Sequence, residues 1–217
     1  MRFFQLSGIL ITSLASPLFV APAGLALTQS ATFNPVLQVD DSSRSTGLNF
    51  IGFTSSVYSV LTTITLTKCD NPINNATGQC IGTGESFNEE IELSLQSPSG
   101  TIVPLVELGT LDGQEPGDTV TWTFADTASS ILSGDVLVSG TYLPSSPLKA
   151  FRGENGNGLW KLLFADGSVN DPLSVNSWSL TVNQVPVPGP LPVLGAATAL
   201  GYSRRIRRRL AKVNPKA

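Results

Sequence analysis

Several segments of the chain place apolar and polar residues in strict alternation, and a chain that does so repeatedly is committed to β-sheet. Ile64 and Leu66 alternate with Thr63, Thr65 and Thr67, and Ile91, Leu93 and Leu95 with Glu92, Ser94 and Gln96. Val120, Trp122 and Phe124 alternate with Thr121 and Thr123, and Trp178, Leu180 and Val182 with Ser177, Ser179 and Thr181. A period of two puts all the apolar side chains of a strand on one face, so each strand expects one buried and one wet surface. Gly, Pro, Asn, Asp and Ser crowd the intervening stretches, as turns require. In Ser97-Pro98-Ser99-Gly100, Pro98 presets φ for the second position of a type I turn and Gly100 suits its exit. The expectation there is a hairpin of 90–96 with 101–105. Residues 27–184 are long enough to bury about 70% of their unfolded surface in one domain. Short antiparallel strands joined by long loops predict an all-β sandwich of jelly-roll type.

Charge divides the chain into three parts. All 16 acidic residues lie between Asp40 and Asp171, where only Arg44, Lys68, Lys149, Arg152 and Lys161 accompany them, a net charge of −11. Arg2 stands alone at the start, and seven more basic residues close the chain. An acidic domain between basic ends predicts targeting and membrane contact, and it argues against nucleic acid, which needs clustered Lys and Arg. The chain has no histidine. Ser-His-Asp and Cys-His nucleophile systems and His-ligated zinc are therefore excluded.

Residues 1–26 read as a signal peptide. Arg2 precedes an apolar run, and Ala21-Pro22-Ala23-Gly24-Leu25-Ala26 supplies the small residues that signal peptidase requires, so cleavage is expected after Ala26. Residues 185–217 fall into three pieces. Val185-Pro186-Val187-Pro188-Gly189-Pro190-Leu191-Pro192 is stiff and Pro-rich, a short apolar segment follows, and Arg204, Arg205, Arg207, Arg208 and Arg209 form a basic cluster. The ten residues 193–202 would make about 15 Å of helix against a hydrocarbon core of about 30 Å, a marginal span. The arginines would stay cytoplasmic and the acidic domain outside.

This tail resembles the bacterial exosortase (PEP-CTERM) sorting signals, in a version similar to cyanobacterial ones. Pro186, Pro188, Gly189 and Pro190 form its motif, with Val187 where the namesake Glu would stand. The resemblance implies transient or retained anchoring in the inner membrane, recognition by an exosortase-like processing enzyme, and delivery to the cell envelope, outer surface or extracellular space.

Cys69 and Cys80 are the only cysteines, ten polar-rich residues apart. An exported chain meets an oxidising compartment, so a disulfide is expected, worth about 3 kcal/mol for a loop of this size.

A second resemblance covers the domain itself. Glu92-Leu93-Ser94-Leu95-Gln96-Ser97-Pro98-Ser99-Gly100-Thr101, Gly140-Thr141-Tyr142-Leu143-Pro144, Gly158-Leu159-Trp160-Lys161-Leu162 with Asp166, and Asn176-Ser177-Trp178-Ser179-Leu180 follow one another in the order of the proprotein-convertase P domain, or Homo B domain. That family implies a galactose-binding-like jelly roll with a final hairpin carrying Trp160 and Trp178. In convertases the domain follows a subtilisin-like protease domain and stabilises it. Here the Cys69–Cys80 insertion replaces the family's His-containing strand end, and no catalytic residue is expected. Asp126-Thr127-Ala128 faintly resembles an aspartic-protease motif but is isolated, and Glu89, Glu90 and Glu92 read as the wet start of a strand.

If a cofactor binds, calcium is the one this composition suits, with Asp126, Asn155, Asn157, Asp166 and Asp171 as hard oxygen donors. Function then divides between a structural, adhesive or protein-interaction module and a carbohydrate-binding module using exposed Tyr58, Tyr142 or Trp122. A third expectation is an accessory domain docking on a separate subtilisin-like serine protease.

Overall fold

In a computed structural model, the structure describes residues 27–34, 36–70, 73–74, 79–80 and 84–186. The signal peptide, the Pro-rich sorting motif beyond Pro186, the basic cluster and the Cys80 side chain lie outside the described residues. Strands β1 (Thr28–Phe33), β2 (Leu37–Val39), β3 (Ser42–Phe50) and β4 (Val57–Lys68) come first, then the two-residue β5 (Ile73–Asn74) and β6 (Gln79–Cys80). Next are β7 (Glu85–Phe87), β8 (Glu92–Gln96), β9 (Ile102–Val106), β10 (Gln114–Pro116) and β11 (Asp118–Phe124). The last are β12 (Ser130–Ile131), β13 (Gly140–Leu143), β14 (Gly158–Asp166) and β15 (Leu173–Gln184). Helical geometry is confined to the 3₁₀ turns Asn88–Glu90 and Leu148–Phe151 among the described residues.

Two sheets face each other. One has the order β1-β15-β4-β11-β13-β12, with β2 also on β15, and the other β3-β14-β8-β9. The alternation seen in the sequence decides which side chains fill the space between them. Ile64, Leu66, Val120, Trp122, Phe124, Trp178, Leu180 and Val182 from the first sheet meet Leu93, Leu95, Trp160, Leu162 and Phe164 from the second, all buried. Each tryptophan satisfies its indole N–H before being buried. Trp122 donates to the Val138 carbonyl at 2.9 Å, Trp160 to that of Gly156 at 3.0 Å, and Trp178 to Thr62 Oγ1 at 2.8 Å. On the solvent face of the first sheet the opposite parity gives cross-strand threonine pairs, Thr63–Thr123 and Thr65–Thr121, at 2.9 and 3.0 Å.

The predicted β8–β9 hairpin is present. Gly100 N–H donates to the Ser97 carbonyl at 3.0 Å, Ser97 N–H to that of Thr101 at 2.9 Å, and Gly100 takes φ +93°, which a side chain would resist. Two expectations need correction. The sandwich is not wholly antiparallel, because β13 pairs parallel with both β11 and β12. The 15 residues between β11 and β13 hold β12 and give the chain room to return in the same direction. Nor do β14 and β15 form a hairpin. They belong to opposite sheets, so their tryptophans enter the core from its two sides.

The long strands give the sandwich two distinct poles. Along β4 and β15, Val57 lies opposite Gln184 and Lys68 opposite Leu173. At the first pole the chain enters and leaves together: Gln184 N–H donates to the Leu27 carbonyl and Val185 N–H to that of Ser56, both at 3.0 Å. The second pole lies at the Lys68 end.

Core burial predicts that Trp160→Ala destabilises the domain by about 3–5 kcal/mol, read as a fall in the urea midpoint. A loss below about 1 kcal/mol would show that Trp160 is not part of the central packing.

Candidate functional site

The most unusual group in the molecule is a fully buried lysine. Lys68 is the last residue of β4, where the alternation that buries Ile64 and Leu66 also turns its side chain inward. A bare ammonium there would be prohibitively costly, and three carboxylates compensate it. Lys68 Nζ lies 2.9 and 3.0 Å from the two oxygens of Asp166, 2.8 Å from Asp171 Oδ2 and 3.5 Å from Glu90 Oε2. It also donates to the Asp171 carbonyl. Asp171 Oδ2 accepts a second bond, from Phe87 N–H at 2.7 Å.

These groups come from separate parts of the chain. Asp166 ends β14, Asp171 precedes β15, and Glu90 closes the Asn88–Glu90 turn. Together they join both sheets to the β7–β10 pair at the second pole. Burial pushes the Glu90 carboxyl up to about 7; Asp171 and Asp166 add repulsion while Lys68 pulls it down. Burial also raises Asp166, against the pull of Lys68. The closeness of the Asp166 carboxyl further favours the protonated form of Glu90.

The five residues considered for calcium do not converge. Asp166 and Asp171 meet at Lys68. Asp126 lies elsewhere, its two oxygens accepting Leu148 N–H and Lys149 N–H at 2.7 Å each, so it caps the start of the second 3₁₀ turn. Asn155 and Asn157 stand near the first pole. Asn157 exchanges hydrogen bonds with the Phe53 backbone at 2.8 and 2.9 Å and bonds Asn155 Oδ1 at 2.8 Å. Glu90, Asp166 and Asp171 do bring carboxylate oxygens within 4.8 Å of one another, a fit for a divalent ion in donor type. The Lys68 ammonium already lies among them, so an ion would have to displace or crowd a buried cation.

Glu90 and Lys68 were not picked out by the sequence. Glu92 is exposed as a wet strand start should be, but Glu90, two residues earlier in a 3₁₀ turn, points into the cluster. The one available signal was Lys68 itself, a charge at a position whose parity is inward.

Neither of two surface concavities gathers catalytic groups. A shallow groove of about 530 Å³ crosses the solvent face of the four-stranded sheet, lined among others by Ser43, Ser45, Ser94, Leu163 and Ile102. A smaller one of about 310 Å³ lies between the Phe53–Ser56 backbone and Glu154–Asn157. Of the aromatics considered for stacking on a sugar, Trp122 is 0% exposed and cannot serve. Tyr142 is partly buried with its hydroxyl bonded to the Val138 carbonyl. Tyr58 is exposed, with the Arg152 guanidinium 5.2 Å from its ring centre.

Residues 84–182 match the proprotein convertase P-domain. The match begins at β7 and ends within β15, so it takes in Glu90, Asp166 and Asp171 but not Lys68 or the strands before β7. Among solved structures, the serine protease of Aeromonas sobria is similar at 13% identity and TM-score 0.39, over 77% of this chain and 28% of that one. The same protease in complex with its chaperone gives 13% identity and TM-score 0.41, over 75% and 28%. Dimeric latent PorU from Porphyromonas gingivalis gives 10% identity and TM-score 0.35, over 76% and 14%. This chain therefore spans well under a third of each of those proteins. No curated protein matches the chain.

The Lys68 cluster yields two predictions. Glu90 ionises near 4.5 when unfolded but near 7 in the fold. It therefore contributes stability that is complete below about pH 4.5 and is lost as pH rises through 7. Melting scans should show Glu90→Gln shrinking the fall in Tm between pH 5 and 8; an unchanged pH profile would remove Glu90 from the cluster. Lys68→Met leaves buried carboxylates uncompensated and should cost about 3–5 kcal/mol at pH 7. Calcium should then raise the Tm of that variant over a chelator control while leaving the wild-type Tm unchanged.

Proposed function

We propose that the chain is an exported, non-catalytic P-domain module, sorted to the cell envelope or beyond, with a structural or protein-interaction role. The observation that carries this reading is the P-domain match over residues 84–182 in a chain without histidine. Its inward-facing acids are spent on Lys68 and its Asp126 on a backbone cap, which are tasks of a scaffold. Export rests on the residues 1–26, and sorting on the Pro186–Pro188–Pro190 and Arg204–Arg205–Arg207 pattern. Signal peptidase and an exosortase-like enzyme are the processing partners that pattern calls for.

We also assign a Cys69–Cys80 disulfide to the mature protein. Cys69 is buried immediately after Lys68, so a bond there would tie the 70–79 insertion to the same pole as the ionic cluster.

Mass spectrometry of the protein recovered from cells tests both statements. Loss of residues 1–26 and of the basic tail is expected, with no thiol alkylated until a reductant is added. An intact basic tail would overturn sorting by cleavage, and a freely alkylated pair would overturn the disulfide.

A further inference from the structure

The two ends of the P-domain and its acidic residues occupy opposite poles. Every acidic residue except Asp126 and Glu154 belongs to the Lys68 end. Strand registers place Asp118, Glu92 and Asp166 there. Loop contacts place the rest, as in Asp41 N–H to the Ser168 carbonyl, Asn88 to Asp135, and Gly109 N–H to Glu89. Of the described basic residues only Arg44 and the buried Lys68 share that end. Lys149 and Arg152 are exposed in the other half, where Gly153 N–H bonds Val57. The pole where residue 27 begins and Val185 departs is thus close to neutral, and nearly the whole negative charge sits at the other.

We infer that the domain stands on an anionic bilayer by the pole at which its ends meet, with Lys149 and Arg152 toward the headgroups and the acidic pole held away. The inference rests on the reading that the tail anchors the chain. β4 and β15 have 12 residues each, about 40 Å of strand. A Debye length of about 8–10 Å then makes the repulsion between acidic pole and headgroups negligible in this pose and maximal in the inverted or flat one.

The test uses the full chain on vesicles of phosphatidylglycerol and phosphatidylcholine, with a donor dye at Ile51→Cys near the first pole or Leu108→Cys at the second. Both native side chains are well exposed, at 74% and 65%. Energy transfer to headgroup-labelled lipid should be several-fold stronger from residue 51 than from residue 108. Charge reversal at Lys149→Glu with Arg152→Glu should narrow that ratio without releasing the protein. Equal or reversed transfer from a protein that co-sediments with the vesicles overturns the orientation alone. Failure to co-sediment overturns the anchoring reading and the orientation with it.

Discussion

The ammonium of Lys68 is the point at which segments from both sheets and the β7–β10 pair are fixed to one another. A sandwich can hold its two sheets together by apolar packing alone, and the tryptophan-rich interior here does so over most of its length. At the second pole that packing ends, the loops are acidic, and a further means of attachment is needed. A buried lysine shared by Asp166 of one sheet and Asp171 before a strand of the other supplies it, because neither partner can leave without stranding a charge in a medium of low polarity. Glu90 completes the arrangement with a carboxyl that burial and the two neighbouring aspartates make harder to ionise. The cluster thus converts charges that would splay the pole into ones that close it.

The fold was legible in the sequence to the extent that it depends on local alternation. The β8–β9 hairpin could be read from Leu93, Leu95 and the Ser97–Gly100 turn, and the inward sets of β11, β14 and β15 from their tryptophans. What alternation does not encode is which strand lies beside which. Trp160 and Trp178 have the same inward parity whether their strands are neighbours or face each other, so a hairpin and an arch give the same pattern. The parallel pairing of β13 was hidden for a related reason, since direction depends on the length and course of a connection rather than on the residues of the strand.

The site was less legible because its members are far apart in the chain and ordinary in kind. Lys68 is separated from Asp166 by 98 residues and from Asp171 by 103, and an isolated lysine at a strand end reads as a solvent-facing charge. Asp166 and Asp171 were singled out as oxygen donors to a metal, and the cation beside them is a side chain of the same molecule. Asn155, Asn157 and Asp126 have the same donor chemistry and answer instead to nearby backbone, Phe53 in one case and the Leu148 turn in the other. Donor type alone does not separate a ligand from a cap; only the direction of the unpaired groups around it does.

The uneven distribution of charge follows from the same constraint. A strand interior in a two-layer sandwich has little room for charge, so the acids gather in loops and at strand ends, and a sandwich has such positions at two poles. Here the first pole carries the chain's entry and exit, where Gln184 and Val185 bind the backbone of Leu27 and Ser56, and its loops are built from Ser, Thr, Asn and Gly. The acids are left to the second pole, where their mutual repulsion would be least tolerable without a buried cation. Lys68 is therefore more than one stabilising pair among several. It is what allows a domain to concentrate its negative charge at one end and still close that end.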